Sequence, residues 1–250
     1  MKEVLITALG VGMATVIGSI IGFAFKKVSH KFSDVVMSFA AGIMLAAAVI
    51  GLILPSVELG GKWGLLYAII GIFAGAICLN LMDKLIPHLH RLAGVDSENH
   101  NNANINKVML FVLAIAIHNL PEGIAAGVGF GNDDPGQALL IASGIALQNI
   151  PEGMVIIAPM LAAGISPKKT LLCAIGTGLV EVVGTLIGYL AVSVAEVILP
   201  IALSFAGGTM LYVVSDEMLN ETHAHGHERA ATYSMIVGFC VMLVLDVLLG

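Results

Sequence analysis

Charged side chains are scarce in this chain. Asp, Glu, Lys and Arg make up 11% of its 250 residues, 58% are hydrophobic, and the mean hydropathy is +0.99. So much apolar surface cannot be buried in one water-soluble core, which excludes an ordinary soluble domain. The net charge of -6 is a sum over two unlike membrane faces and gives no indication of nucleic-acid binding. The composition therefore predicts an all-α integral membrane protein.

Cysteine is also rare. Cys78, Cys173 and Cys240 fall within apolar segments and show no paired spacing. We expect them to be small, buried packing residues, as free cysteines generally are. Because the chain offers no cluster of thiolate or thioether ligands, copper(I) is excluded as a partner.

Eight stretches of about 20 residues are apolar enough to cross a bilayer. They cover residues 4–25, 35–54, 63–82, 108–130, 137–161, 170–194, 197–214 and 232–249. Of the 11 Lys and Arg residues, all but Lys2 and Lys62 fall in connections on one side. Because basic loops resist translocation, we expect both termini outside and the two longest loops, residues 83–106 and 215–231, inside.

Histidine is concentrated in these two inside loops. Six of the 8 histidines lie there: His88, His90, His100, His223, His225 and His227. Short histidine-rich segments are either solvated linkers or surfaces that collect metal ions with low affinity, since neutral imidazole is a common metal ligand. We favour metal contact for these loops.

The hexapeptide "HNLPEG" at residues 118–123 recurs as "QNIPEG" at residues 148–153, each inside a predicted span. Polar and charged side chains in a membrane interior are costly and normally face a cavity within the protein. Residues four apart share a helix face, so His118 lies beside Glu122 and Gln148 beside Glu152. An imidazole, an amide and two carboxylates on facing helices suit a divalent metal of borderline hardness.

A second set of ligands is expected next to the first. Asn119 and Asn149 point to an adjacent position, where Glu181 from the sixth span can complete the set and Glu152 can serve both. A hydrogen bond between helices explains any one of these residues, but it does not explain the repeated pattern.

Each hexapeptide also contains a proline. Pro121 and Pro151 cannot donate to the carbonyls four residues earlier, so both helices should kink there. Within a membrane, a freed carbonyl is tolerated only inside a protein-lined cavity. Because successive spans run in opposite directions, the paired motif also implies a local pseudo-two-fold axis in the membrane plane.

At these residues the sequence resembles the ZIP (Zrt/Irt-like) family of divalent metal transporters. The resemblance is carried by the paired hexapeptides and extends over the eight spans, the outside termini and the histidine-containing loop after the third span. It implies a 3+2+3 arrangement, in which spans one to three and six to eight form inverted repeats around spans four and five. It further implies a single transporter domain over residues 1–250, often assembled as a homodimer in the cell membrane. Its cargo would be zinc and related divalent ions, carried into the cytoplasm without a cofactor.

The resemblance also implies a binuclear metal centre. The first site matches His118, Glu122, Gln148 and Glu152, and the second matches Asn119, Asn149, Glu152 and Glu181. Many members of the family have a histidine in place of Gln148, and some have a carboxylate in place of Asn149. An exit on the inside is implied by Asp83, His88, His90, Asp216, Glu217, Glu221 and His223.

Three alternatives are open from the sequence. A metal sensor or structural site would bind metal without moving it, and a channel-like path would use the same residues without saturating. A membrane metalloenzyme is disfavoured, because zinc hydrolases pair two histidines four apart with a glutamate beside the first, where this chain has Asn119. The order of preference among zinc, cadmium, iron, manganese and cobalt is not determined.

Overall fold

The structure, a computed structural model, describes residues 2–24, 29–92, 103–131, 135–194 and 198–249. Those residues form long helices and no β-strand. The helices are α1 (Lys2–Ala24), α2 (His30–Leu59), α3 (Gly64–Leu92), α4 (Ala103–Val128), α5 (Pro135–Ala162), α6 (Pro167–Val194), α7 (Leu199–Thr222) and α8 (Glu228–Leu249). Each overlaps one of the eight predicted spans in turn.

The helices have the length and composition of membrane spans. Among the described residues, 7 helices are long and apolar enough to cross a bilayer, and α4 is the one outside that set. The most apolar stretches of α2, α5 and α7 are each 61% buried inside the protein, against 17% for α8. Large apolar side chains such as Leu65, Phe73, Val247 and Leu248 are exposed. The fold is therefore that of a multi-pass membrane protein, with α2, α5 and α7 near its centre and α8 at its periphery.

Two of the central helices depart from regular α-helical geometry. Residues Ala47–Ile53 of α2 and Val214–Met218 of α7 form π-helical turns. In such turns each hydrogen bond spans five residues in place of four, and they often occur at functional sites. The one in α7 places the acidic residues Asp216 and Glu217 at the inner end of the bundle.

The helices pack as two groups. The most extensive contacts join α4 to α6 and α1 to α5, and α1 also packs along α6. A second group is formed by the contacts of α3 with α7 and of α2 with α8. The groups meet mainly where α2 crosses α5 and where α7 crosses α4. The two hexapeptides thus belong to one group, and each faces a helix of the other.

An internal repeat relates the two halves of the chain. Gly18 of α1 lies against the carbonyl of Ile150 in α5, and Gly184 of α6 lies in the same way against the carbonyl of Leu120 in α4. Ile150 and Leu120 occupy the same place in the two hexapeptides. Gly18 and Gly184 are 166 residues apart in the sequence, and so are Thr15 and Glu181. The same offset therefore relates both pairs of residues in α1 and α6. Because α1 and α6 run in opposite directions, the repeat is inverted, as the paired motif predicts.

Some predicted residues lie differently from expectation or beyond what is described. The cysteines are free, but Cys78 and Cys173 are half-buried and Cys240 is exposed, so the expectation that they are buried is wrong. They lie on helices whose outer faces are apolar, where lipid can cover a thiol as well as protein can. His100 is outside the described residues, and for Asp83, His88 and His90 the description covers only the backbone of the last turns of α3.

Candidate metal centre

The two hexapeptides place their polar side chains in the interior of the bundle. Pro121 lies inside α4 and Pro151 inside α5, so both helices continue through the motif. Glu152 is half-buried, and the other predicted ligands are nearly or completely buried: His118, Asn119, Glu122, Gln148, Asn149 and Glu181. Burying this many polar groups is costly unless they bind each other or an ion.

Glu181 holds the predicted second set together. Its Oε1 accepts a hydrogen bond from Nδ2 of Asn119 at 2.5 Å, and its Oε2 accepts one from Nδ2 of Asn149 at 2.6 Å. Both amide groups therefore turn their nitrogens toward the carboxylate and leave their oxygens for another partner. The structure brings these three residues into direct contact across α4, α5 and α6.

Thr15 of α1 belongs to the same cluster, although its sequence context does not indicate this. Its Oγ1 donates to Oε1 of Glu181 at 2.7 Å, and the residue is 1% exposed. A lone threonine in an apolar helix carries no signal of its own. The internal repeat would have found it, since Thr15 occupies in α1 the place that Glu181 occupies in α6.

The first set opens onto a cavity. A space of about 490 Å³ is lined by His118 and Glu122 from α4 and by Glu152 from α5. Gln148 lies beside Glu122, one turn from Glu152 on the same helix. Three of the four first-site residues therefore line one space, whereas Gln148 lies beside Glu122 and is not part of that lining.

His118 makes a close contact that the sequence did not predict. Its Nε2 lies 2.9 Å from Oε1 of Glu217, in the π-helical turn of α7. The sequence predicts His118 as a ligand and Glu217 as part of an exit, but their spacing does not predict direct contact. To bind a metal ion, the imidazole would have to leave this carboxylate or share the ion with it.

The remaining exit residues divide into two groups. Asp216, Glu217 and Glu221 line the same cavity as His118, and Glu217 is the one in contact with the imidazole. His223 lies elsewhere, with Nδ1 3.0 Å from the carbonyl of Leu219 and Nε2 3.2 Å from the hydroxyl of Thr232. The cavity therefore connects the buried ligands to an acidic rim on α7.

Several ligand oxygens in this region have no hydrogen-bond partner among the described residues. These buried atoms are Oε1 and Oε2 of Glu122, Oε1 of Gln148, and Oδ1 of Asn119 and of Asn149. Buried polar atoms without partners are rare in proteins, and each needs a ligand, water or ion to account for it. All five belong to residues that the sequence predicts as metal ligands.

The ligands are nevertheless not arranged as a closed cage. Within the part of the chain that the structure describes, no three His, Cys, Asp or Glu side chains are grouped closely enough to hold a metal ion. The contacts above give the reason, because His118 is turned to Glu217 and the two asparagine amides are turned to Glu181. Metal binding at this centre requires an exchange of partners.

Comparison with known proteins finds relatives that are all described as zinc transporters. A family model described as "ZIP Zinc transporter" matches residues 87–246. The chain is 38% identical to zinc transporter GufA of Myxococcus xanthus, over 98% of both chains. It is 36% identical to zinc transporter ZIPB of Bordetella bronchiseptica, over 95% of this chain and 78% of the relative. It is also 36% identical to zinc transporter ZupT of Chlorobaculum parvum, over 93% and 92%.

Proposed function

The chain belongs to the ZIP family of zinc transporters, and on that premise we propose that it carries divalent metal ions across the cell membrane into the cytoplasm. Zinc is the principal cargo, and cadmium, iron, manganese and cobalt are candidates with similar ligand preferences. The path runs through a binuclear set between α4, α5 and α6, with His118, Glu122, Gln148 and Glu152 as the first site. Asn119, Asn149, Glu152 and Glu181 form the second.

The observation that carries this proposal is the set of buried oxygens without hydrogen-bond partners. Leaving a buried acceptor unpaired costs about 1–3 kcal/mol, and more for a carboxylate. Five such atoms lie on four of the predicted ligands. A divalent cation with its remaining water would satisfy several of them at once, whereas an ordinary helix interface would have paired them with donors.

The cavity supports an inside exit. It is lined by first-site ligands from α4 and α5 and also by Asp216, Glu217 and Glu221 from α7. A cation that leaves His118 meets Glu217 first, because those two side chains are already in contact. Carboxylates at the rim hold a departing ion weakly through water, which favours release over capture.

Transport accounts for these residues better than catalysis does. Of the four first-site residues only His118 is a histidine, and its neighbour Asn119 has its amide nitrogen bonded to Glu181. The place next to the histidine in the sequence, which holds the glutamate base in the His-Glu-x-x-His zinc hydrolases, is therefore occupied by an asparagine. Assembly as a homodimer is a further expectation, which the mass of the detergent-solubilised protein would test.

The experiment is zinc and cadmium uptake into proteoliposomes, with bound metal counted on each purified protein. The proteins are the wild type, Glu152→Ala and Glu181→Ala, with Glu228→Ala, an exposed residue outside the centre, as the matched control. We expect saturable uptake by the wild type and the control, loss of uptake and binding in Glu152→Ala, and only a changed rate in Glu181→Ala.

Three results would count against the proposal. Binding without uptake in every protein would indicate a sensor or structural site. Uptake that rises linearly with metal concentration would indicate a channel-like path. Normal uptake by Glu152→Ala would remove the first site from the path.

A further inference from the structure

The asparagines of the two hexapeptides are held in the same way by different helices. Nδ2 of Asn119 donates to Oε1 of Glu181 at 2.5 Å, and it makes a longer hydrogen bond of 3.4 Å to the carbonyl of Thr177 in α6. Nδ2 of Asn149 donates to Oε2 of Glu181 at 2.6 Å, and it makes one of 3.4 Å to the carbonyl of Val11 in α1. Val11 and Thr177 have the same separation in sequence as Thr15 and Glu181, so the internal repeat relates the two arrangements.

These contacts determine which way each amide faces. A side-chain amide carries two N–H donors on its nitrogen and only acceptor positions on its oxygen. In Asn119 and Asn149 both donors are used, one by a carboxylate oxygen and one by a backbone carbonyl, and neither of those groups can donate. Half a turn of either amide would place its oxygen against two acceptors. Oδ1 of each asparagine therefore faces away from Glu181, and both of these oxygens are buried without a hydrogen-bond partner among the described residues.

The hydrogen bonds of Glu181 leave little room for an ion at its own oxygens. Oε1 accepts from Thr15 and Asn119, which uses both lone pairs of that oxygen. Oε2 accepts from Asn149 and keeps one position, but that position lies beside an amide N–H, whose positive end repels a cation. The residue is 0% exposed. Its charge is therefore compensated by donors from α1, α4 and α5.

The demand for positive charge lies elsewhere in the cluster. Glu122, Glu152 and Glu181 are close enough for their charges to repel one another. Glu181 has three donors, whereas neither oxygen of Glu122 has a hydrogen-bond partner in the part of the chain that is described. Asn119 and Asn149 each come three residues before Glu122 or Glu152, a spacing that makes side chains neighbours on a helix. A cation therefore relieves the repulsion best beside the amide oxygens and not at Glu181.

The internal repeat explains how one carboxylate can serve both asparagines. Thr15 occupies in α1 the place that Glu181 occupies in α6, and its hydroxyl donates to that carboxylate at 2.7 Å. A second carboxylate at this place would repel the first and would deprive it of a donor. The pairing of a donor with an acceptor thus holds Glu181 between the two hexapeptides.

We infer that Glu181 is the positioning residue of the second site: it holds both asparagine amides with their oxygens toward the ion, and it does not itself contact the ion. The ion is bound by the oxygens of Asn119 and Asn149, by Glu152 and by water. This inference rests on the proposed function for the existence of the second site, and it assigns Glu181 a different part in that site.

This arrangement affects which ions the second site prefers. Its protein ligands are all oxygen atoms, and two of the three residues are uncharged amides, as is common at sites for hard divalent ions. Carboxylate, carbonyl and water ligands suit Mn²⁺ and Mg²⁺, whereas the imidazole of His118 favours zinc at the first site. The second site therefore favours zinc less strongly than the first, and Mn²⁺ is a suitable probe for it.

The test is Mn²⁺ binding by the purified full-length protein, measured by electron paramagnetic resonance, which distinguishes free from bound Mn²⁺. The background carries His118→Ala and Glu122→Gln, which removes two ligands of the first site and keeps Glu152. On this background Glu181→Gln is compared with Thr185→Val, a control whose hydroxyl donates to the backbone carbonyl of Glu181. We expect Glu181→Gln to weaken binding by about 10–100-fold, as loss of an orienting partner typically does, and Thr185→Val to leave it nearly unchanged.

The expected loss comes from the amide that Glu181→Gln introduces. The new side chain has one acceptor oxygen and one NH₂ group, so it can accept from only one of the two asparagines. The other asparagine has to turn its own nitrogen away from the new donor. That turn brings an N–H group, which cannot bind a cation, to the place of an oxygen ligand.

A double-mutant cycle with Asn149→Ala separates positioning from direct ligation. Without Asn149, the side chain introduced by Glu181→Gln can accept from Asn119 without conflict. We therefore expect Glu181→Gln to cost at least about fivefold less affinity there than in the presence of Asn149. A direct ligand would lose the same contact with the ion in either case, and the two costs would be equal. If Glu181→Gln does not fold, Glu181→Ala takes its place in the cycle, because it also releases the amides.

Three results overturn the inference: equal costs with and without Asn149, Mn²⁺ binding that Glu181→Gln leaves unchanged, and no Mn²⁺ binding in the background protein. Failure of the proposed function is distinguishable, because it appears in the wild type as an absence of uptake. A protein that takes up zinc normally but shows equal costs contradicts only the inference made here.

Discussion

At the scale of single residues, the electrostatics of the centre depend on Glu181. Its carboxylate receives three hydrogen bonds, from Thr15, Asn119 and Asn149, and is completely buried. Hydrogen bonds to a charged group contribute about 1.5–3 kcal/mol each when they replace contact with water. The residues of the proposed second site therefore form a hydrogen-bonded cluster without metal, which is why we expect Glu181 to affect the rate of transport more than binding at the proposed first site.

Substitution of Thr15 tests this cluster with little change of shape. We expect Thr15→Val to lower the stability of the purified protein by about 1.5–3 kcal/mol, because it removes one donor to a buried carboxylate. The matched control is Thr185→Val, whose hydroxyl donates only to the backbone carbonyl of Glu181. Thermal unfolding in detergent measures both, and equal stability of the two variants would contradict the assigned role.

Gln148 offers a test of ligand chemistry. Replacing its amide by an imidazole, in Gln148→His, adds a second nitrogen ligand opposite His118 and should tighten zinc binding by at least about tenfold. Tighter binding slows release, so the maximal uptake rate should fall while half-saturation moves to lower zinc. Gln148→Leu is the control for loss of the amide, and its zinc binding should weaken. Looser binding in Gln148→His would place Gln148 outside the first site.

The sequence predicts which candidate ligands lie near one another better than it predicts the contacts that they make. Spacing alone places His118 with Glu122 and Gln148 with Glu152, because four residues make about one helical turn. The contact of His118 with Glu217 depends on the approach of α7 and on its π-helical turn, for which apolar composition gives no signal. Thr15 was missed for a related reason, since a hydroxyl in a span is usually bonded to its own helix.

At the scale of helices, the prolines and glycines of the hexapeptides have separable roles. Pro121 and Pro151 each free a carbonyl one turn earlier, beside the ligands. Gly123 lies against the carbonyl of Glu181, and Gly153 lies against that of Thr15. The prolines thus affect polarity at the site, whereas the glycines determine how closely the helices approach.

If the prolines of the hexapeptides expose polar carbonyls at the site, replacing one of them should raise stability and lower transport. We expect Pro151→Ala to stabilise α5, because alanine restores the bond to the carbonyl of Leu147, and to reduce uptake several-fold. Pro159→Ala, about two turns further along the same helix, is the matched control and should leave uptake nearly unchanged. Proteoliposome uptake together with thermal unfolding checks both effects. Equal uptake by the two variants would show that Pro151 has no part in transport.

The glycine role predicts a packing defect. A Cβ added at Gly153 meets the carbonyl of Thr15, so Gly153→Ala should force the helices apart and cost about 1–3 kcal/mol. Gly176→Ala is the control, because a Cβ there has open space around it. By the internal repeat, Gly123→Ala should behave as Gly153→Ala does. Thermal stability equal to that of the Gly176 variant would refute the close approach.

At the scale of the whole molecule, the fold follows from composition and charge, but the packing does not. The apolar stretches predict eight helices in order, because a membrane span needs a minimum length. The grouping of α1 with α4, α5 and α6 depends on which small residues meet between helices. Nearly every span contains at least two glycines, so their positions do not show which helices pack together. The seven helices that satisfy the criteria for crossing a membrane, together with the matched relatives, establish a multi-pass protein of the cell membrane.

Acidification should inhibit transport by the whole protein. Metal ligands must be deprotonated, so protons compete with zinc for His118 and for the carboxylates of Glu122 and Glu152. We therefore expect uptake to decrease as the pH falls from about 7.5 to about 5.5, a range that spans the ordinary titration of imidazole. Uptake into proteoliposomes with equal pH on both sides measures this without a proton gradient. Constant uptake over that range, with the protein intact, would contradict ligand competition.

The two ends of this inverted repeat are chemically unequal. Gly51 in the π-helical turn of α2 occupies the place that Glu217 occupies in α7, so one end bears a carboxylate where the other bears only a hydrogen atom. For a carrier without an energy source, detailed balance requires that such a difference alter the speed of exchange and never its end point. The end point is set by concentrations and voltage, and an inside-negative potential of 100 mV favours a divalent ion by about 4.6 kcal/mol, roughly a thousandfold or more. In such a carrier, the acidic end would govern how quickly metal is exchanged, and the membrane potential would govern how far the exchange proceeds.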